Sequence, residues 1–238
     1  MRTAIVTGGS RGIGRAIASA ILQDGGRAMI TGVSAAHLDE AVSALAKTAG
    51  DRVAGLAVDV RHRAAVESLM QETARRFGAF DVLVNNAGVG RFSDVAMMID
   101  EDWQNVIDTN LSGPFYCSRA AIPWLKRSGG GWIVNIASLA GRNYFPGGGA
   151  YCASKAGLIA FSDALMQEVR YDNIRVTVVM PGSVATGFGH PSPDRQAEDA
   201  SWKLSPDDVA QAVMDLIRHP ARSLPSRVEI RPSKPKQK

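Results

Sequence analysis

The chain is short of cysteine, histidine and aromatic residues, and each shortage narrows what it can be. Two cysteines, Cys117 and Cys152, stand among 238 residues, too few for a disulfide framework, so a reducing cytoplasm is the expected setting. The four histidines, His37, His62, His190 and His219, fall at no ligand spacing, and no metal site is expected. No apolar run approaches the roughly 20 residues of a membrane span. A strand-like run at 3–7 begins so early that a signal peptide is not expected before it. Charge of one sign is lacking over most of the length. The net charge is +4, but Arg227, Arg231, Lys234, Lys236 and Lys238 face only Glu229 at the end, so the rest is neutral on balance. A basic nucleic-acid face is therefore not expected, and 232–238 reads as a solvated basic tail. Global disorder is excluded by 45% hydrophobic residues and modest net charge.

What is present is an alternation of short β-branched runs with longer amphipathic ones. Strands are expected at 3–7, 27–31, 52–58, 81–84, 131–137, 174–180 and 227–230. Helices are expected at 13–24, 36–48, 63–77, 101–127 with a break near Gly113-Pro114, 151–170 and 206–218. Ser205 can cap the last of these, with Pro206 in its first turn and Asp207-Asp208 at its positive end. Asp100, Glu101 and Asp102 serve an earlier helix in the same way. The runs at 53–58 and 174–180 are apolar nearly throughout, as strands buried on both faces are. No repeat and no linker divides the chain. A single α/β domain follows, a doubly wound, mostly parallel seven-stranded sheet with helices on both faces, over 1–231.

Ligands of such sheets bind outside the carboxyl ends of the strands, and there the unusual residues collect. The first strand runs into Gly8-Gly9-Ser10-Arg11-Gly12-Ile13-Gly14, and the second into Gly32-Val33-Ser34. The third ends at Asp59-Val60, the fourth at Asn85-Asn86-Ala87-Gly88, the fifth at Ser138 and the sixth at Pro181-Gly182. The glycine turn matches neither G-x-G-x-x-G nor the phosphate loop of nucleotide triphosphatases, since no Gly-Lys-Ser/Thr follows. Gly8 permits a tight turn, while Gly12 and Gly14 let a diphosphate approach the positive end of the helix. An ordinary glycine-rich turn without a ligand is the other reading of this segment taken alone.

Tyr151 and Lys155, four apart, share a helix face. An ammonium beside a phenol favours the phenolate, and such a tyrosine can exchange a proton with a carbonyl or alcohol. With four tyrosines in the chain, this spacing alone fits an exposed helix pair equally well. Ser138, 13 residues earlier at a strand end, brings a hydroxyl toward the same point. Asn135 reads as a structural hydrogen-bonder, Cys117 and Cys152 as inward-packing, and the four tryptophans as ordinary packing residues.

Thr7-Gly8-x-x-x-Gly12-x-Gly14, Asp59, Asn85-Asn86-Ala87-Gly88, Asn110, Ser138, Tyr151-x-x-x-Lys155 and Pro181-Gly182-x-Val184-x-Thr186, in that order, resemble the short-chain dehydrogenase/reductase family. The likeness is greatest to compact members that include 3-oxoacyl-carrier-protein reductases. It implies a Rossmann-type fold and hydride transfer between a nicotinamide and a carbonyl or secondary alcohol, of ketone or 3-oxoacyl type. Tyr151 would be the acid/base, Lys155 would tune it and bind the ribose, Ser138 would polarise the carbonyl, and Asn110 would hold a relay water. The glycine turn, including Ser10, Arg11 and Ile13, would take the diphosphate side. Asp59 and Val60 would contact adenine, and Asn86, Ala87 and Gly88 would line the adenine-ribose side. Pro181, Gly182, Val184 and Thr186 would hold the nicotinamide.

The second strand end offers no carboxylate to repel a 2′-phosphate, so NADP(H) is favoured over NAD(H), with Arg11 and Ser34 as its phosphate partners. Residues 187–204 match the family's substrate lid. Val89, Leu139, Asn143, Tyr144 and Phe188 are pocket candidates. The implied partners are a small-molecule substrate and a second copy of the chain, as a homodimer or homotetramer through the helices at 101–127 and 151–170, not nucleic acid or membrane. Compact members often end in an apolar, glycine-containing segment that this chain lacks. Two other readings share the motifs: a catalytically silent nucleotide-binding scaffold or sensor, and a nucleotide-sugar epimerase or dehydratase, for whose extra substrate domain there is no length.

Overall fold

A computed structural model describes residues 2–188 and 201–235. Seven strands, β1 (Thr3–Val6), β2 (Arg27–Gly32), β3 (Val53–Ala57), β4 (Val82–Asn85), β5 (Gly131–Ile136), β6 (Ile174–Pro181) and β7 (Arg227–Ile230), form one sheet in the order β3-β2-β1-β4-β5-β6-β7. Every neighbouring pair is parallel. The helices are α1 (Gly12–Gln23), α2 (Ala35–Ala49), α3 (Arg63–Phe77), α4 (Asp100–Ile107), α5 (Gly113–Arg127), α6 (Gly149–Val169) and α7 (Pro206–Ile217).

Parallel strands need covered faces, and alternate side chains send their bulk to opposite layers. Ala4 and Val6 of β1 join Ile17 and Ile21 of α1, Leu38 of α2 and Val213 of α7 in one core. Ile5, between them, joins Leu69 of α3, Leu125 of α5 and Leu165 of α6 in the other. Burying such a side chain is worth about 1.5–3 kcal/mol. The capping box at Ser205 and Asp208 is present at the start of α7.

One expectation is corrected and a second is located more closely. The run at 53–58 is not buried on both faces: β3 is an edge strand, and Gly55 and Ala57 are exposed. Its apolar residues fall where only β2 pairs with it, and Val53, Ala54 and Val58 are the ones buried in the core. The break expected near Gly113-Pro114 is a π turn at Asp108–Ser112, directly before them. Pro114 has no N–H to donate to the carbonyl of Asn110 four residues back, so the α register cannot close there and the chain widens one turn earlier. Among the described residues no helix is long and apolar enough to cross a membrane. No group of three His, Cys, Asp or Glu among them is placed to hold a metal ion.

Candidate active site

The strand order changes direction between β1 and β4, and the glycine turn and the Asn86 segment meet at that point. Thr7 ties them together: its hydroxyl donates to the Val84 carbonyl and accepts from the Asn86 and Ala87 N–H groups, both at 3.0 Å. The Asn86 amide donates to the carbonyls of Thr7 and Gly8 at 2.9 and 3.1 Å. Asn86 is thereby committed to shaping the turn. Gly8 (φ 63°) and Gly12 (φ 54°) adopt the left-handed conformation that glycine alone takes at little cost.

Gly12 and Gly14 differ in what surrounds them. A Cβ on Gly12 would meet only the Thr186 methyl at 3.3 Å, leaving a space beside the start of α1. A Cβ on Gly14 would lie 2.4 Å from both the Asn86 amide nitrogen and the Gly8 carbonyl oxygen. Gly14 therefore serves the packing of α1 against the turn rather than the approach of a phosphate. Arg11, at the N-cap of α1, makes no side-chain cap, so the first-turn N–H groups keep their capacity for an anion. The residues fit a dinucleotide diphosphate on that ground.

At the end of β2, Ser34 caps α2 by accepting from the His37 N–H at 3.4 Å, which leaves its own proton to donate. Arg11 is exposed, and a Cβ on Gly32 would touch the Ser10 hydroxyl at 3.1 Å. Asp59 is held by Arg61 at 2.6 Å, and that guanidinium keeps its carboxyl below the usual range. Val60 is buried against Gly113.

Ser138, Tyr151 and Gly182 line one cavity of about 380 Å³. Ser138 follows β5 and caps a short turn at Leu139–Gly141, accepting from the Ala140 N–H. Tyr151 stands on the first turn of α6 with its ring between those of Phe92 and Phe188, both at 5.6 Å. Burial pushes the Tyr151 phenol up, and the Ser138 hydroxyl pulls in the other direction. Lys155, 4% exposed, donates to the Ile136 carbonyl at 2.9 Å and lies 5.8 Å from the centre of the Tyr151 ring. Desolvation lowers its ammonium to about 8. The phenol is thus raised by burial rather than lowered by this lysine, and the opposing pull comes from Ser138.

Asn110 and Lys155 converge on Gly88: the Asn110 oxygen and the Lys155 nitrogen lie 3.3 and 3.6 Å from where its Cβ would stand. The Asn110 side chain is itself committed, accepting from the Val89 N–H and donating to the Val89 carbonyl and the Ser154 hydroxyl. The amide thus pins the loop at Val89 to α6. Pro181 ends β6, and the Gly182 N–H donates to the Ile230 carbonyl. Val184 is half-buried on the α1 side, and Thr186 reaches Gly12.

Of the pocket candidates, Leu139 and Asn143 line the cavity, while Tyr144 does not and is 71% exposed. Val89 serves Asn110, and the Phe188 ring packs at a tilt against Tyr151. The lid expected at 187–204 lies outside the described residues from 189 to 200, His190 with it; its two ends, 187–188 and 201–204, are described. Sequence reasoning passed over Phe92 and Phe145, and took Trp202 for ordinary packing, though Trp202 and Phe145 line the cavity. Pro232 and Pro235 line it too, so the tail does not leave the protein at 232. Its last residues, 236–238, lie outside the described residues.

A sequence model of the short chain dehydrogenase family matches residues 2–197. A 3-oxoacyl-(acyl-carrier-protein) reductase of Haemophilus influenzae is 36% identical over 195 residues, 82% of this chain and 79% of the relative. Another from Chlamydia muridarum is 42% identical over 187 residues, 78% and 75% of the two chains. An alcohol dehydrogenase of Thermococcus sibiricus, solved with 5-hydroxy-NADP, superposes with a TM-score of 0.91 at 30% identity over 100% of this chain and 99% of its own. A serine dehydrogenase complexed with NADP+ gives 0.87 at 33% identity, covering 96% and 94%. With the glycine turn, the serine, the tyrosine and the lysine assembled on the edge where such sheets bind nucleotides, the chain belongs to the short-chain dehydrogenase family and is a nicotinamide-dependent oxidoreductase of the C=O/CH–OH pair.

Proposed function

We propose that the protein is an NADP(H)-dependent carbonyl reductase or alcohol dehydrogenase in which Tyr151 transfers the proton. The observation that carries this reading is the meeting of Ser138 and Tyr151 in one cavity with Gly182, above a buried Lys155. Bound NADP(H) supplies the hydride, and the protein supplies position and the proton. Ser138 hydrogen-bonds the substrate oxygen, and Tyr151 protonates it during reduction or removes its proton during oxidation. Lys155 stabilises the phenolate and reaches the nicotinamide ribose. The relay water belongs to the backbone carbonyl of Asn110, which Pro114 cannot satisfy, rather than to its side chain.

Gly8, Ser10, Gly12 and Ile13 cradle the diphosphate against α1, with Gly14 and Asn86 holding the turn in shape. Asp59 and Val60 bound the adenine, and Ala87 and Gly88 its ribose side. Pro181, Gly182, Val184 and Thr186 border the nicotinamide. Selection of NADP(H) rests on Arg11 and the Ser34 hydroxyl at the end of β2, where no carboxylate stands. Structurally similar enzymes solved with NADP or its analogue support that choice. Two free, buried cysteines suit a reducing cytoplasm, and the outer faces of α5 and α6 suit a homodimer or homotetramer. The test is NADPH oxidation, followed by absorbance, against ketones and 3-oxoacyl thioesters. Turnover lost in Tyr151→Phe, with NADPH still bound, is the expected result; a panel silent for the unaltered protein would overturn the reading.

A further inference from the structure

The reactive cavity has one feature that the chemistry at Tyr151 does not use. Arg231, just past β7, is the one charged residue lining it among the described residues. The rest of that wall is Leu139, Phe145, Trp202 and two prolines, with the Asn143 amide beside them. Arg231 is half of a cation-rich cluster. Glu229 takes the Arg142 Nη1 on one carboxylate oxygen and the Arg231 Nη2 on the other, both at 2.8 Å. Two guanidiniums thus share a single carboxylate, and the cluster keeps a net positive charge. The Nη1 of Arg231 has no hydrogen-bond partner among the described residues.

We infer that Arg231, backed by Arg142 and Glu229, receives the carboxylate of a small hydroxy or oxo acid whose reacting carbon–oxygen group lies between Ser138 and Tyr151. This assignment rests on the reductase reading above and names its substrate class. A guanidinium offers two parallel donors to a carboxylate, a geometry that neutral ketones cannot exploit. Glu229 holds Arg231 in place without exhausting it, and Arg142, four residues beyond Ser138, fixes Glu229 from the other side. The cavity of about 380 Å³ must also admit the nicotinamide edge at Gly182, which leaves room for a short acid rather than a long acyl chain.

The experiment compares acetoacetate with its neutral methyl ester as substrates for NADPH-dependent reduction by the full chain. The unaltered protein should prefer the acid in kcat/KM. Arg231→Gln should cut the acid-to-ester ratio about tenfold, mainly through the KM of the acid, as loss of a charge-assisted hydrogen bond implies. Arg231→Lys should recover part of that ratio, and NADPH binding measured by fluorescence should show that the variants fold. Raising ionic strength should erode the preference in the same direction, since the guanidinium is half exposed and screened by salt. Equal or better use of the ester, or an equal loss on both substrates in Arg231→Gln, would overturn the carboxylate assignment while leaving the reductase reading intact. No reduction of either compound, with NADPH bound, would overturn the carboxylate assignment; the reductase reading falls only if the ketones and 3-oxoacyl thioesters are not reduced either.

Discussion

The Lys155 ammonium donates to the carbonyl of Ile136, the last residue of β5, at 2.9 Å, in a position only 4% exposed. Its folded value of about 8 lies below the 10.5 of an ordinary lysine because burial disfavours the charge. Below about pH 8 both the folded and unfolded chains carry the proton, and the folded state bears the full cost of burying it. Between the two values the unfolded chain binds more protons, so stability rises with pH and the cost disappears. Lys155→Met should therefore melt above the unaltered protein near pH 7, by the equivalent of about 2–3 kcal/mol once the lost hydrogen bond is allowed for. The gap should close toward pH 10. Melting temperatures across that range, without cofactor, decide it; a gap that does not depend on pH would mean the amine titrates normally.

The rings of Phe92 and Phe188 flank Tyr151 and withdraw its phenol from water. Tyr151→Phe should lower the reduction rate by at least about a hundredfold with NADPH affinity little changed, as loss of a general acid does. Phe92→Ala should re-expose the phenol and let its elevated value fall. Reduction consumes the protonated form, so the alkaline decline of kcat/KM should move to lower pH in that variant. An unmoved limb would show that another group sets it.

Gly12 and Gly14 look alike in the sequence and should behave differently when replaced. Gly14→Ala places a methyl 2.4 Å from the Gly8 carbonyl oxygen and the Asn86 amide, so the turn must open. A loss of about 2–3 kcal/mol is expected from overpacking in urea denaturation. Gly12→Ala meets only a methyl at 3.3 Å and should cost about 1 kcal/mol for its left-handed backbone, while weakening NADPH binding much more than stability. The same ordering in both measurements would contradict the division of labour.

The order of strands and helices was legible because each is carried by local pattern: β-branched runs, Ser205 with Asp208, the glycine turn. The likeness to a family was legible because its residues sit at fixed offsets along the chain. What pattern could not supply was relative depth. The apolar run at 53–58 reads as buried on both faces, and only the sheet order makes it an edge. Nor does pattern show that the Asn110 and Asn86 amides bind the Val89 backbone and the Thr7 and Gly8 carbonyls. Such bonds join residues about 20 to 80 positions apart, which no window along the chain can see. Arg231 was counted among the basic residues of the end for the same reason: nothing near it in sequence shows that Ser138 shares its cavity.

Arg11 stands exposed at the N-cap of α1, and the Ser34 hydroxyl marks the end of β2. Arg11→Ala should raise the KM for NADPH about tenfold and that for NADH far less, since only the former carries the phosphate that a guanidinium would bind. Steady-state kinetics with both cofactors measures this. Equal changes would place selectivity elsewhere on the second strand end.

Phe115 on α5 is 41% exposed, its ring edge-on to Phe161 of α6, with the Arg119 guanidinium 4.9 Å above it. An aromatic and an arginine displayed together on adjoining helices have the composition of an interface centre, where such residues bury area at small entropic cost. The protein should elute with a mass that is a multiple of 25.3 kDa when light scattering is coupled to gel filtration. Phe115→Arg should shift it to the single-chain mass, because a second guanidinium beside Arg119 would be buried against a like charge. Helix content by circular dichroism should be retained, since Phe115 is not part of either core. A single-chain mass for the unaltered protein would remove α5 and α6 as the contact, and an unchanged multiple in the variant would move the contact to another face.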